Sequence, residues 1–398
     1  MALIKVKGNI LIDDIDQLYI DLYQSMNSNQ VIDILLPNKL TKNYLGITPA
    51  LIQFIATWIR YENSGKLRLN VEDPTELEID ELYKNEFIFP IVSLVWNSNG
   101  IYNKTGEANL KSKLKGLQKQ LFLKMKKVEA YRGEKLLLTN LDHFNEEKGI
   151  LSCFEKEGEF IANENDLLES LKPVILEDVL RNYRESKEIF KKAQKDFYGI
   201  IYELMKNTFN WARDTPEGVP YDPNIRGLLV KFYKKPRTKL LEEYDRNEAI
   251  TTFFKSEILK ENNKGELYFF EISVFDSGAG FINKYKALNS PTELEDVEII
   301  KQCFIKHNTS AKGLDKFEKG FGLDKILQTL DKKGFLRIKT GNVCLYRNLI
   351  SNNYKTIESK DINEMDLFDW RTGSDNSFTK YKEVSGSIIT IIYPLAFN

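Results

Sequence analysis

Glu203 and Asn207 stand four apart in the stretch Glu203-Leu204-Met205-Lys206-Asn207. On a helix that spacing puts both side chains on one face. A carboxylate so placed can orient or deprotonate a water for attack on a phosphate. An amide carbonyl is a hard oxygen, the ligand type that magnesium takes. Ile200, Ile201, Leu204, Met205 and Phe209 would form the apolar back of such a helix. A plain surface helix with a polar i,i+4 pair is the bland alternative, and it is common. Two further segments could do chemistry with this pair. Asp276-Ser277-Gly278-Ala279-Gly280 ends an apolar run, Phe269 to Phe275. A strand ending in Asp sets a carboxylate at the sheet edge, where it can accept from the exocyclic amine of adenine. A hydrogen bond to a charged group contributes about 1.5–3 kcal/mol. Gly278 and Gly280 allow positive φ and close approach of backbone to a base or sugar, although Asp-Ser-Gly is also an ordinary turn sequence. Lys319-Gly320-Phe321-Gly322-Leu323 leads into a helix pattern. Its free N–H groups suit an anion such as the β- and γ-phosphates of a nucleotide.

In this order along the chain, the segments resemble the nucleotide site of the GHKL superfamily: gyrase, the ninety-kilodalton heat-shock chaperones, histidine kinases and MutL. A fourth piece, Gly386-Ser387 opening the last apolar run, stands where the family often has Gly-Thr. The resemblance covers residues 165–398. It implies ATP and Mg2+ as cofactors, Asn207 as the magnesium ligand and Glu203 as the residue that activates water. It gives Asp276, Gly278, Gly280 and Ser387 to adenine and its surroundings. It gives Gly320, Phe321, Gly322 and Leu323 to the phosphates, at the end of a lid over about 281–322. His307-Asn308-Thr309-Ser310-Ala311-Lys312 loosely resembles the MutL-branch lid sequence, with Ala311 inserted, which adds Thr309, Ser310 and Lys312 as phosphate contacts. Slow hydrolysis with a conformational output is what the resemblance implies.

Departures narrow the branch. Trp211 stands where histidine kinases often carry a basic residue. The one upstream histidine, His143, lacks the context of a phosphoacceptor. The gyrase and MutL branches draw a catalytic lysine from a following domain, and the chain ends at Asn398, so an ATP module with its partner domain on the N-terminal side is expected. Two function classes stay open. One is an ATP-driven switch with hydrolysis, of the kind used in bacterial stress or phage defence. The other is a regulatory Ser/Thr kinase or nucleotide-gated binding module of the anti-sigma or histidine-kinase type.

Composition limits the other mechanisms. Two histidines among 398 residues leave almost nothing for a Ser-His-Asp triad or a His-rich metal site. Three dispersed cysteines, Cys153, Cys303 and Cys344, argue against a disulfide framework and fit a reducing compartment. A net charge of −1 points to no partner by bulk electrostatics. There is neither an 18-residue apolar run nor an evident signal peptide, so a cytoplasmic chain with no membrane partner is expected.

The elements that must position these residues read as an α+β chain of two domains. The expected fold is a GHKL-type α/β sandwich over 156–398, a mixed sheet covered by helices, behind a smaller α/β domain over 1–155. In the first domain, strand signals at 3–6, 31–36 and 67–71 alternate with helix patterns at 16–26 and 48–61. The order is similar to STAS-type regulatory modules, which suggests a protein partner. A helix over about 109–128 carries Lys111, Lys113, Lys115, Lys119, Lys124, Lys126 and Lys127 without an acid. That is a solvated face or a nucleic-acid contact. A boundary is expected near 145–160, then a helix over 167–214 with a break or start at Pro173. Strands follow at 227–233, 267–275, 335–340, 343–347 and 387–393. A charged insertion fills 235–265 and a polar loop 351–385. A homodimer is compatible with this reading.

Overall fold

The computed structural model describes residues 1–42, 44–305 and 322–395. The chain is α+β, with two main sheets. The first is parallel and four-stranded, in the order β1 (Ala2–Lys5), β2 (Ile32–Leu36), β3 (Ser64–Leu69) and β4 (Ile101–Tyr102). Its crossovers include α1 (Ile15–Asn27) and α2 (Ile47–Ile59), followed by α3 (Glu76–Leu82), α4 (Ile88–Leu94) and the lysine-rich α5 (Lys111–Lys126). The short helices α3 and α4 and the two-residue β4 are too brief to give a period in the sequence.

The second sheet is antiparallel and seven-stranded. Its order is β12 (Phe368–Asp369), β11 (Val343–Asn348), β10 (Phe335–Thr340), β13 (Ser387–Pro394), β9 (Glu266–Asp276), β8 (Ile225–Pro236) and β5 (Lys135–Leu141). β5 precedes the expected boundary at 145–160 and yet forms the far edge of this sheet, paired with β8. The change of sheet therefore falls between β4 and β5. A short helix, α6 (Glu146–Gly149), and a hairpin of β6 (Glu155–Lys156) and β7 (Glu159–Phe160) follow β5.

One face of the large sheet is apolar and packs on helices. α7 (Glu164–Val174) starts at Asn163, whose side chain caps it by accepting from Asn165 and Asp166 N–H. Pro173 lies inside α7 rather than at a break. A π-helical turn, Ile175–Val179, ends this segment before α8 (Arg184–Trp211) begins. The break expected at Pro173 within the helical stretch 167–214 falls instead at residues 180–183. α8 lies along the sheet: Phe190 and Phe197 meet Phe270 of β9, at ring-centroid separations of 5.3 and 4.9 Å. Residues 235–265, expected as a charged insertion, hold α9 (Arg237–Glu243) and α10 (Glu248–Lys255), with Leu240, Phe253 and Phe254 buried. α11 (Gly280–Leu288) and α12 (Asp296–Cys303) occupy the first part of the expected lid, and α13 (Gly322–Leu330) follows it. Between 351 and 385, Trp370 and Tyr381 are buried, so that segment covers the sheet rather than hanging free of it.

α2 lies between the two sheets. Its buried residues run unbroken from Ile47 to Trp58, the pattern of a helix covered on every side. Trp58 Nε1 donates to the Ile32 carbonyl of β2 at 2.8 Å, and Ser385 N–H, just before β13, donates to Thr57 Oγ1 at 2.9 Å.

Candidate functional site

Asp276 and Ser387 meet at one end of the large sheet, the Asp276 turn packs against Ala212 at the end of α8, and Gly322 packs against Glu203 farther back along the same helix. β9 and β13 are neighbours, with Phe275 opposite Ile388, so their ends bring Asp276 beside Ser387. The Asp276 carboxyl is buried and accepts the Gly278 N–H at 2.9 Å, and the Ser387 N–H as well. Burial pushes its pKa up to about 7, against these two N–H groups and the charge of Arg226, which pull it down. Ser387 Oγ lies 3.0 Å from Thr340 Oγ1, which also accepts the Phe281 N–H at 3.1 Å. The sequence did not single out Thr340. It ends β10 opposite Ser387, and only the sheet register reveals it.

The glycines of the turn have separate reasons. Gly280 has φ +77, and an added Cβ would meet Thr340 Oγ1 at 2.8 Å. Gly278 is not in the left-handed region; its Cβ would meet the Ala212 backbone at 2.6 Å, where α8 ends. The turn is therefore pressed against both β10 and the end of α8.

Behind the turn lies a buried ionic cluster. Arg226 stands opposite Asp276 in the β8–β9 register and is fully buried. Its guanidinium pairs with Asp142 through Nε at 2.8 Å and with Glu155 through Nη1 at 2.7 Å. The Asn224 side-chain amide donates to Asp142 at 2.6 Å and to the Ala212 carbonyl at 2.9 Å, and its oxygen accepts from Ser277 Oγ at 2.7 Å. This chain of bonds ties the turn to the end of α8. His143 belongs to the same scaffold, with Nε2 3.2 Å from the Ser93 carbonyl and Nδ1 against the Asn224 backbone.

Glu203 and Asn207 share the half-buried face of α8. Glu203 lies against the start of α13, where a Cβ on Gly322 would come within 2.8 Å of Glu203 Oε2. The Glu203 pKa is raised by burial, an effect opposed by Lys325 and Lys206. Lys325 Nζ is 3.5 Å from Glu203 Oε1 and is also bonded to Glu164. Among the described residues the Asn207 amide makes no side-chain hydrogen bond and stays available as an oxygen ligand. No group of three His, Cys, Asp or Glu among the described residues could hold a metal ion. A magnesium ion here would rest on Asn207, phosphate oxygens and water, a ligand set that suits its habit. Gly322 and Leu323 open α13. Thr309, Ser310, Lys312, Gly320 and Phe321 lie outside the described residues.

Contacts from α2 and the residue just past it reach this site, through Thr57 and Arg60. Arg60, just past α2, donates from Nη2 to the Ser277 carbonyl at 3.1 Å and stacks 4.4 Å from the Tyr221 ring centroid. A groove beside the N-terminal half of α8, lined by Arg184, Glu188, Lys192, Asp196, Lys333 and Tyr393, includes none of the motif residues. No described helix is long and apolar enough to cross a membrane.

No family model matches this chain, and no curated protein or solved structure matches it significantly.

Proposed function

We propose that the large sheet and α8 form a GHKL-type nucleotide site that binds ATP with Mg2+ and hydrolyses it slowly, and that the nucleotide state is passed to the first domain. One observation carries this reading. A buried carboxyl at a strand end, with the hydroxyls of Ser387 and Thr340 beside it, sits in a turn packed against the end of α8, the helix that carries Glu203 and Asn207. The carboxyl suits an adenine amine, and the hydroxyls suit a bridging water. Asn207 would supply an oxygen to the ion, and Glu203 would orient the water that attacks the γ-phosphate. Magnesium contributes neutralisation of phosphate charge when bound.

Calorimetric titration of ATP with and without Mg2+ tests the reading. Asn207→Ala is expected to lose the magnesium-dependent part of the affinity. Glu203→Ala is expected to keep binding and lose phosphate release. Wild-type hydrolysis rates in Glu203→Ala would remove the water-activating role. Labelled γ-phosphate appearing on a partner Ser or Thr, in place of free phosphate, would favour the protein-kinase reading.

A further inference from the structure

Glu203 is bracketed by charge. Facing it are Lys325 from α13, Glu164 from α7, and Lys206 and Tyr202 from its own helix. Among the described residues, Lys325 is the ammonium that touches both Glu164 and Glu203. It is hydrogen-bonded to Glu164 Oε1 and lies 3.5 Å from Glu203 Oε1. The three side chains come from three helices. Glu164 sits in the first turn of α7 and lies close enough to α8 that a Cβ on Gly199, one turn before Glu203, would meet its Oε2 at 3.3 Å. Lys325 lies three residues past Gly322, the glycine packed against Glu203.

We propose that Lys325 is a positioning residue for Glu203: its ammonium, anchored by Glu164, fixes the Glu203 carboxylate and favours its ionised form. The inference rests on the hydrolytic reading of the site. A half-buried carboxylate meant to accept a proton from water must stay ionised against desolvation, and a cation at this distance is the local means. The motif-bearing segments name Glu203 and leave Lys325 without a role. Only the packing of α13 on α8 joins them.

The electrostatics give two variants opposite effects. In Lys325→Met the Glu203 carboxyl loses the cation that opposes its desolvation, so its titration midpoint rises. In Glu164→Gln an anion that raises the midpoint is removed and the ammonium is left to Glu203, so the midpoint falls. A purely structural role for Lys325 would disturb folding without giving these opposite signs.

Side-chain 13C NMR of the full chain, with the Glu203 carboxyl assigned by Glu203→Gln, reads the midpoint without nucleotide. Lys325→Met is expected to raise it. Glu164→Gln should lower it, and Lys325→Arg should keep it near the wild-type value. In steady-state hydrolysis the acid limb of kcat should move in the same directions. Affinity for a non-hydrolysable ATP analogue should stay within about twofold, since Lys325 acts through Glu203. A Glu203 midpoint unmoved in Lys325→Met, or moved the same way by both variants, overturns the proposal. A wild-type chain that neither binds nor hydrolyses ATP overturns the nucleotide reading itself. The NMR midpoints and the ATP assays therefore fail separately.

Discussion

Asp276 carries two opposed requirements in one carboxyl group. Its folded-state pKa of about 7 lies well above the ordinary aspartate value of about 3.9. Above the ordinary value the unfolded chain gives up this proton while the folded chain still holds it. Stability from this group is therefore present at low pH and falls as pH rises through about 7. Asp276→Asn removes the ionisation and keeps an oxygen for the Gly278 N–H. The variant is expected to melt at a higher temperature than wild type at pH 8, with the difference vanishing by pH 4. The same change should weaken ATP by roughly ten- to a hundredfold, about 1.4–3 kcal/mol, because an amide accepts the adenine amine less strongly than a carboxylate. Calorimetric melts at the two pH values, beside a binding titration, check both halves. Equal ATP affinity in wild type and variant would detach Asp276 from adenine, whatever the melts show. The residue itself was legible in the sequence because a strand run ending in Asp-Ser-Gly announces both the strand and its exit. Its partner Thr340 was not, since a threonine ending one strand gains meaning only from the strand beside it.

At the level of elements, long apolar runs such as those of β9 and β13 were legible, and so was the Glu203 face of α8. Pairing across distance was not. β5 reads as part of the first domain because it comes before a polar stretch, yet its register with β8 places it in the second sheet. That register also sets Arg226 between Asp142, at the end of β5, and Glu155 of β6. No local pattern brings these three charges together. Such a cluster tolerates loss of one member badly, because the others stay buried and uncompensated. Arg226→Met is expected to cost about 3–5 kcal/mol in urea denaturation, and to loosen the Asp276 turn through Asn224 and Ser277. A loss below about 1 kcal/mol would mean that water reaches Asp142 and Glu155, and that the turn is held by Gly278 and Gly280 alone.

α2 is one of the joins between the two sheets, and its contacts bear on whether nucleotide can act beyond its own site. One helix from the first domain meets three segments of the large sheet. Its first turn offers the Gly46 N–H to the buried Glu271 of β9 at 2.9 Å, Thr57 accepts from Ser385 next to β13, and Arg60 grips the Ser277 carbonyl. The last two contacts flank the Asp276–Ser387 pair on either side. A ligand seated on that pair shifts the second domain only toward the state that binds it better, and the shift crosses to α2 only if these contacts are stronger in that state. Hydrogen exchange with and without a non-hydrolysable ATP analogue reads this directly. Protection is expected to rise in α11 and α12, which occupy the first part of the expected lid, and in the C-terminal half of α2. The middle of β9, paired on both sides, should change little. Arg60→Ala should leave ATP affinity within a few-fold of wild type while the rise in α2 disappears, because Arg60 bonds the Ser277 carbonyl and not the Asp276 carboxyl. A rise in α2 that persists in Arg60→Ala would route the coupling through the other contacts of α2, Thr57 with Ser385 and Gly46 with Glu271. No change in residues 1–102 in the wild-type chain would leave the second sheet as a nucleotide site whose state does not reach the first.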